Sequence, residues 1–149
     1  MRIHIGTDHA GFELKNLLKD HWKRVGHEVV DHGSYEYDPA DDYPGFCFAC
    51  AEGVVADPGV LGGSGNGEQI AANKVDGVRA ALVWSVETAR LARQHNDANI
   101  AGFGVRQHSA EEAMRILDAF IAESFSGDAR HQGRIDQVRD YERARRQGA

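Results

Sequence analysis

Several features that would assign this sequence to a class at once are missing from it. No apolar run approaches the length of a membrane span, and the first residues resemble a strand rather than a signal peptide. Positive charge is not in excess, since the net charge is −6 and the isoelectric point is near 5.7. These absences argue against nucleic acid and anionic membranes as partners, and they predict a cytoplasmic location.

Metal-binding and redox patterns are also scarce. Cys47 and Cys50 form a C-x-x-C pair, but no second pair completes a four-cysteine zinc site. Their segment resembles a buried helix, in which cysteine packs as a small apolar residue. Histidine spacings such as H-E-x-x-H are absent, so we predict no metal site. Most of the following histidines are expected to be surface or core residues: His4, His21, His27, His32, His108 and His131.

Strand-like and helix-like segments alternate along the 149 residues. The predicted strands are Arg2–Thr7, Glu28–Asp31, a short run at Val60–Leu61, Val78–Val83 and Asn99–Phe103. The predicted helices are Leu14–Val25, Pro44 to about Val55, the segment after residue 67, Val86–His95, one that begins at the capping box Ser109–Glu112, and one from Ala129 onward. This rhythm predicts one α/β domain with a doubly wound, Rossmann-like or flavodoxin-like parallel sheet of five strands and helices on both faces.

The last segment, residues 128–149, is a charged helix with a thin apolar stripe of Ile135, Val138 and Tyr141. A stripe this narrow seldom secures a helix against its own core. We therefore expect this helix to pack at an interface with a partner subunit.

A glycine-rich loop follows the third predicted strand, with glycines at positions 62, 63, 65 and 67. Its spacing fits neither a P-loop nor G-x-G-x-x-G, because the last three glycines alternate and no Gly-Lys-Ser/Thr follows. Main-chain N–H groups of such a loop, with those of the next helix, favour an anion. A catalytic loop and a plain ligand-binding or structural loop both fit this pattern.

Glu68 stands where that anion-favouring cavity should be. A carboxylate base beside N–H donors suits proton abstraction next to a carbonyl, with the loop holding the enediolate. Alternatively, Glu68 is there because the helix dipole favours an acidic residue in a first turn. We do not expect it to be the partner of a Ser/Thr capping box, because Gly65 rather than Ser or Thr stands three residues before it.

Two pairs of polar residues stand at the ends of predicted elements, one at the end of the first strand and one at the end of the fourth helix. Asp8 and His9 end the first strand, so in a parallel sheet they should line the same crevice as the glycine loop. They suit a sugar hydroxyl and a phosphate, or else a local turn. His95, beside Asn96, ends the fourth helix. A near-neutral imidazole there can open a sugar ring, or can simply be favoured by the helix dipole.

Arginines near the C-terminus form a further candidate anion site. Arg130 and Arg134 are one helical turn apart, where like charges repel. Either a phosphate between them, or solvent and nearby acidic residues, would offset that repulsion. Arg106, after the fifth strand, is a third candidate of the same kind.

Together these residues are similar to the ribose-5-phosphate isomerase type B family, in the group shared with galactose-6-phosphate and allose-6-phosphate isomerases. The similarity extends over nearly the whole chain. The matching segments are Gly6–Gly11, Gly63–Glu68, Ile70–Lys74, His95–Asn96, Arg106, Arg130 and Arg134. Many members have a cysteine base where this chain has Gly62, so the chain resembles the actinobacterial subgroup that uses a glutamate, here Glu68.

The resemblance implies a role for each matched residue. Glu68 would move a proton between C2 and C1 through a cis-enediolate, and Ser64 would help to move a proton between the two oxygens. His95, with Asp8 nearby, would assist opening of the furanose ring. The main-chain N–H groups that hold the oxyanion would be those of Gly63, Ser64, Gly65, Asn66 and Gly67. The implied phosphate ligands are His9, Arg106, Arg130 and Arg134, and the implied sugar contacts are Asn96 and Tyr43.

The resemblance also implies an enzyme without metal or organic cofactor, assembled as a homodimer or homotetramer whose subunits complete each site. The implied substrates are ribose 5-phosphate and ribulose 5-phosphate. Another sugar phosphate (allose 6-phosphate, galactose 6-phosphate or a tetrose phosphate) is the close alternative. A non-catalytic phosphate- or nucleotide-binding module would explain the glycine loop but would leave Glu68, His95 and the arginine pair without a role.

Overall fold

The computed structural model describes residues 1–54 and 57–148. Its strands are β1 (Arg2–Thr7), β2 (Glu28–Asp31), β3 (Gly59–Gly63), β4 (Ala80–Val83) and β5 (Ile100–Gly104). They form one sheet in the order β2-β1-β3-β5-β4, and every neighbouring pair is parallel. The predicted five-stranded parallel α/β fold is confirmed, although its last two strands are exchanged relative to the flavodoxin-like order 2-1-3-4-5.

The helices of the described residues are α1 (Phe12–Arg24), α2 (Tyr43–Gly53), α3 (Asn66–Ala72), α4 (Val86–Asn96), α5 (Ala110–Ala122) and α6 (Ala129–Gln147). Most element ends agree with the sequence prediction to within a residue or two. The strand predicted from Val78 begins two residues later, because the Val78 N–H closes a turn onto the Val75 carbonyl. The predicted end of α2 near Val55 lies outside the described residues.

Apolar side chains are buried on both faces of the sheet. On one face, α1, α4 and α5 enclose a large cluster that includes Trp22, Phe103 and Phe120. On the other face, α2 and α3 enclose a smaller cluster that includes Leu61 and Ile100. Both faces of a parallel sheet must be covered, and these two clusters provide the doubly wound arrangement that was predicted.

The crevice for a ligand lies where the chain leaves β1 and β3 towards opposite faces. Thr7 pairs with Gly62 across these two strands, and the Thr7 hydroxyl donates to the Gly62 carbonyl at 2.9 Å. The residues that follow, Asp8 and Gly63, are therefore side by side at the carboxyl edge of the sheet. Ligands of open α/β sheets bind at such a point.

The C-terminal helix α6 makes few contacts with the rest of the chain. Of its described side chains only His131 is buried, whereas Val138 is 54% and Tyr141 67% exposed. Arg146 pairs with Asp76 at 2.6 Å near the far end of the helix. Among residues 1–54 and 57–148, no helix has both the length and the apolar character that crossing a membrane would require.

A buried ion cluster fixes the loop after β2. Lys15 is 2% exposed, and its ammonium group donates to Asp31 Oδ1 at 2.8 Å and to the Ser34 carbonyl. Lys19 pairs with the other oxygen of Asp31. Burial alone would raise the pKa of Asp31, but the hydrogen bonds from both lysines outweigh it and lower that pKa. The carboxylate therefore ties α1 to the start of loop 33–42.

Replacing this carboxylate should destabilise the fold. Asp31→Asn leaves the buried Lys15 ammonium without its counter-charge, which should lower the free energy of unfolding by about 3–5 kcal/mol at neutral pH. The wild-type contribution is complete above the ordinary carboxyl pKa of 3.8 and is lost as the pH falls through the lowered folded value, so the difference should shrink in acid. Denaturant unfolding at neutral and acidic pH measures both effects.

The matched control is Glu28→Gln, which removes an ion pair with Arg2 whose side chains are 62% and 51% exposed. This variant should change the free energy of unfolding by less than about 1 kcal/mol. Equal losses for the two variants would contradict the structural role given to Asp31.

Candidate active site

Glu68 lies in a nest of main-chain N–H groups at the start of α3, and its side chain is 1% exposed. Its Oε1 accepts from the Ser64 N–H at 3.1 Å, and its Oε2 accepts from the Gly65 N–H at 2.8 Å and the Ser64 hydroxyl at 3.1 Å. As expected, Glu68 is not the partner of a Ser or Thr cap. Gly65 caps α3, and the carboxylate three residues later accepts its N–H. Because glycine has no side chain, only this half of a capping box can form.

Two glycines allow the carboxylate to enter the nest. Gly63 has φ 144° and Gly65 has φ 87°, conformations that residues with a Cβ rarely adopt. A Cβ on Gly63 would collide with Glu68 Oε1, and it would stand 3.4 Å from Asp8 Oδ1. The carboxylates of Glu68 and Asp8 therefore lie close together beside the bare backbone of Gly63. This confirms that the ends of β1 and β3 line one crevice.

Asp41 holds His9 by two hydrogen bonds. Asp41 Oδ1 accepts from the His9 main-chain N–H at 2.8 Å and is 2.7 Å from the ring Nδ1. The side-chain hydrogen bond raises the pKa of His9, which favours the cationic ring that would bind a phosphate. Asp8 accepts from the Ala10 N–H at 3.0 Å, so the local turn considered for Asp8 does form, and it places Asp8 beside the nest.

Asp8, His9 and Asp41 also have the spacing of a small cation site. Their ligand atoms all lie within 4.8 Å of one another. However, His9 Nδ1 and Asp41 Oδ1 are already bonded to each other, so a metal ion bound by both atoms would have to break this hydrogen bond. The absence of a metal site therefore stays a prediction.

Tyr43 and Arg106 complete this crevice. Tyr43 packs over Gly67, where an added Cβ would stand 2.7 Å from the phenol oxygen. Arg106 lines a cavity of about 140 Å³ together with Gly63 and Ser64. We call this group of residues the loop half-site; its members are Asp8, His9, Tyr43, Gly63–Glu68 and Arg106.

His95 belongs to a second cluster, formed by the last turn of α4 and the first turns of α6. Its ring stacks on that of His131, with centroids 4.2 Å apart and planes inclined by 12°. The Arg130 guanidinium lies 3.4 Å from His131 Nε2. Asn96 and Arg134 line an adjacent cleft of about 430 Å³. We call these five residues the helix half-site.

His131 is a residue that sequence reasoning did not single out. It is buried, as expected for a core histidine, but its ring supports His95 within the candidate site. Burial, and then electrostatic repulsion from His95 and Arg130, lower the pKa of His131, which favours a neutral ring that can accept a hydrogen bond from the arginine. The available signal was its position between Arg130 and Arg134 at the start of a helix.

The two half-sites lie at opposite ends of the sheet. Helix α4 begins just after the carboxyl end of β4 and ends just before β5 begins, so its last turn is at the amino edge of the strands. The loop half-site is at the carboxyl edge. Within residues 1–54 and 57–148, no hydrogen bond or ion pair links the two groups. One copy of the chain therefore does not bring all the predicted site residues together.

Cys47 and Cys50 are buried free thiols of α2. Burial raises the pKa of both, that of Cys47 to about 12, and the nearby Glu68 carboxylate contributes to the increase at Cys47. Both pack in the apolar cluster between α2, α3 and the sheet. Their interpretation as core residues is confirmed.

Comparison with known proteins gives a consistent set of relatives. Residues 3–138 match the family described as Ribose/Galactose Isomerase. The chain is 56% identical over 147 residues to ribose-5-phosphate isomerase B of Mycobacterium tuberculosis (strain ATCC 25618 / H37Rv), which covers 96% of this chain and 91% of that protein. It is 43% identical to the probable ribose-5-phosphate isomerase B of Mycoplasma pneumoniae, with 95% of each chain covered.

Solved structures agree with these sequence relatives. Ribose-5-phosphate isomerase B from Mycoplasma genitalium with bound ribulose-5-phosphate has a TM-score of 0.91 and 44% identity, covering 95% of this chain and 96% of that one. The enzyme from Clostridium thermocellum has the same TM-score at 39% identity, covering 97% of this chain and 99% of that one.

Thiol reagents should leave the folded protein unmodified. At pH 8, a pKa of about 12 leaves the Cys47 thiol as the reactive thiolate in roughly one protein molecule in 10⁴. Burial also blocks access of the reagent to both cysteines. Ellman's reagent should therefore titrate neither thiol until denaturant is added, and then both. Ser124→Cys, at an exposed position outside both half-sites, is the positive control and should react at once. Rapid modification of the folded wild type would overturn the assignment of both cysteines to the core.

Proposed function

Since the chain belongs to the ribose/galactose isomerase family, we propose that it interconverts D-ribose 5-phosphate and D-ribulose 5-phosphate. The named relatives support this pair over a six-carbon or four-carbon sugar phosphate. Aldose and ketose differ by one hydrogen moved from C2 to C1 and another moved between their oxygens. That change needs a base for the carbon and hydrogen-bond donors for the oxyanion, and Glu68 in its nest of N–H groups is the observation that carries the proposal.

Glu68 and the nest would act in sequence. In the structure, the carboxylate itself accepts hydrogen bonds from the N–H groups of Ser64 and Gly65. When Glu68 takes the C2 proton, negative charge passes to the enediolate oxygen, and the same donors can then bind that oxygen. The Ser64 hydroxyl is placed to move a proton from O2 to O1, and Glu68 returns its proton to C1. The products are the ketose and the regenerated carboxylate.

The remaining site residues receive roles from their chemistry and position. His95, with Asp8, would open the furanose ring by moving a proton between the ring oxygen and the hydroxyl on C1. The proposed phosphate ligands are His9, Arg106, Arg130 and Arg134, and the proposed sugar contacts are Tyr43 and Asn96. The main-chain N–H groups of Gly63, Gly65, Asn66 and Gly67 complete the oxyanion donors. No metal or organic cofactor takes part in these steps.

A complete site then requires a second copy of the chain. We propose a homodimer, alone or paired into a homotetramer, in which the loop half-site of one subunit faces the helix half-site of its partner. The segment 128–149 would pack at the same interface. Exposed Val138 and Tyr141, and the cleft of about 430 Å³ beside Arg134, are surfaces that such a partner would cover. A cytoplasmic location, expected from the sequence, is part of this proposal.

A non-catalytic phosphate-binding module is the alternative from another class. It accounts for the N–H nest and the arginines but assigns no task to the buried Glu68 carboxylate. Formation of ribulose 5-phosphate from ribose 5-phosphate in the presence of a chelator separates the two functions, and it also tests the proposed independence from metal.

Removing the base should stop the chemistry and preserve binding. Glu68→Gln keeps an oxygen that can accept from the nest but removes the proton acceptor, so kcat should fall by about 10²–10⁴-fold. Calorimetry should still detect binding of ribose 5-phosphate. The control is Glu52→Gln, which changes an exposed carboxylate on α2 and should leave kcat unchanged. Near-normal turnover by Glu68→Gln would mean that another group is the base.

Mixing two impaired variants tests the shared site. Arg134→Ala should mainly raise KM, because it removes a phosphate ligand from the helix half-site. A heterodimer of Glu68→Gln and Arg134→Ala subunits has one site with both substitutions and one site with neither. Unfolding and refolding the two together should therefore restore about a quarter of wild-type activity at low substrate concentration. Recovery no greater than the sum of the separate variants would mean that each site is built from a single chain.

A further inference from the structure

We infer that Asp41 is a positioning residue, which holds the His9 ring in one orientation and one tautomer for the substrate's phosphate. This inference rests on the proposed function, because it takes His9 as a phosphate ligand. Asp41 was not among the residues that the sequence indicated, and nothing sets it apart from the other three acidic residues of loop 33–42.

The geometry around His9 leaves one ring nitrogen for a ligand. Asp41 Oδ1 accepts from the main-chain N–H at 2.8 Å and lies 2.7 Å from Nδ1. The two bonds fix both the backbone and the ring, and a carboxylate partner requires a proton on Nδ1. Nε2 is then the atom that can donate to a phosphate oxygen. The His9 side chain is 27% exposed, so this nitrogen can be reached from the crevice.

The charges that face His9 favour the imidazolium form. Asp41 lies on one side of the ring and Asp8 precedes His9 in the chain, while the Tyr37 ring is nearly perpendicular to the His9 ring with the two centroids 6.4 Å apart. The hydrogen bond to Asp41 is the largest cause that raises the pKa of His9, and the charge of Asp8 adds to it. Burial opposes the charge on Asp41, but the bonds from His9 outweigh it and lower the pKa of that carboxyl.

Asp41 is itself held in place by the fold. Its side chain is 10% exposed, and its main-chain N–H donates to the Asp38 carbonyl at 3.1 Å. Near the start of loop 33–42, which carries Asp41, the Ser34 carbonyl accepts a hydrogen bond from the buried Lys15 ammonium. The Ser34 hydroxyl also contributes to lowering the pKa of Asp41. The carboxylate is thus presented to His9 by a loop that is anchored near its start by Lys15 and closed by an internal turn at Asp38.

Asp41→Asn tests the inference, because it keeps the shape of the side chain and removes its charge. Near pH 6 bulk protons charge His9 in both proteins, so the KM of the variant for ribose 5-phosphate should match that of the wild type. At pH 8 the variant ring should be mostly neutral, and KM should rise by about tenfold relative to wild type, with kcat changed little. Comparing the two proteins at each pH cancels the titration of the substrate's own phosphate.

Two further variants separate positioning from a general effect. Glu36→Gln removes an exposed carboxylate from the same loop, and its KM should equal that of the wild type at both pH values. In the His9→Ala background, Asp41→Asn should change KM no further, since Asp41 acts through the ring. A KM ratio that does not depend on pH, or additive effects in the double variant, would overturn the inference.

An NMR titration of the His9 ring gives a readout that does not depend on turnover. The pKa of His9 should be lower in Asp41→Asn than in wild type, and an unchanged value would also overturn the inference. If the wild type fails to isomerise ribose 5-phosphate while Asp41→Asn still lowers the His9 pKa, then the proposed function has failed and the link between Asp41 and His9 has not.

Discussion

A carboxylate that accepts three hydrogen bonds from one short loop is the interaction on which the rest of this structure depends. Burying the Glu68 charge at 1% exposure would be prohibitive without those donors. To supply them, the chain must bend at Gly63 and Gly65 with positive φ, and β3 must lie directly beside β1. The same adjacency brings Asp8 to the nest. The strand order, the placement of the two glycines and the position of the Glu68 carboxylate therefore depend on one another.

The sequence predicted the elements of this fold better than their arrangement. Apolar periodicity and helix caps such as Ser109 locate strands and helices because they are local properties of the chain. The exchange of β4 and β5 is decided by packing between distant segments, which periodicity does not encode. Likewise, the hydrogen bond from the Gly65 N–H to Glu68 was not predicted, because a capping box is recognised in a sequence by its Ser or Thr residue and α3 is capped by a glycine.

For the candidate site, too, the sequence predicted the residues better than their arrangement in space. Matching of residues to a family identified His95 and Arg134, but residue identity does not say which chain supplies each of them. Their distance from Glu68 follows from the course of α4, which carries the chain from the carboxyl edge of the sheet back to its amino edge. The sequence did not indicate His131 and Asp41, because each contacts a neighbouring histidine and these contacts form only in the folded chain.

In the proposed mechanism, placing the base Glu68 inside its own oxyanion nest has a consequence for the order of events. While Glu68 is ionised, its oxygens occupy the N–H groups of Ser64 and Gly65, so water and stray anions are kept out. Those donors would become free for the substrate only as the carboxylate accepts a proton and its negative charge is lost. Stabilisation of the enediolate would then be tied to the proton transfer that creates it, which is the differential binding that lowers a barrier. A base at the other end of the loop, where this chain has Gly62, would leave the nest open before the reaction begins.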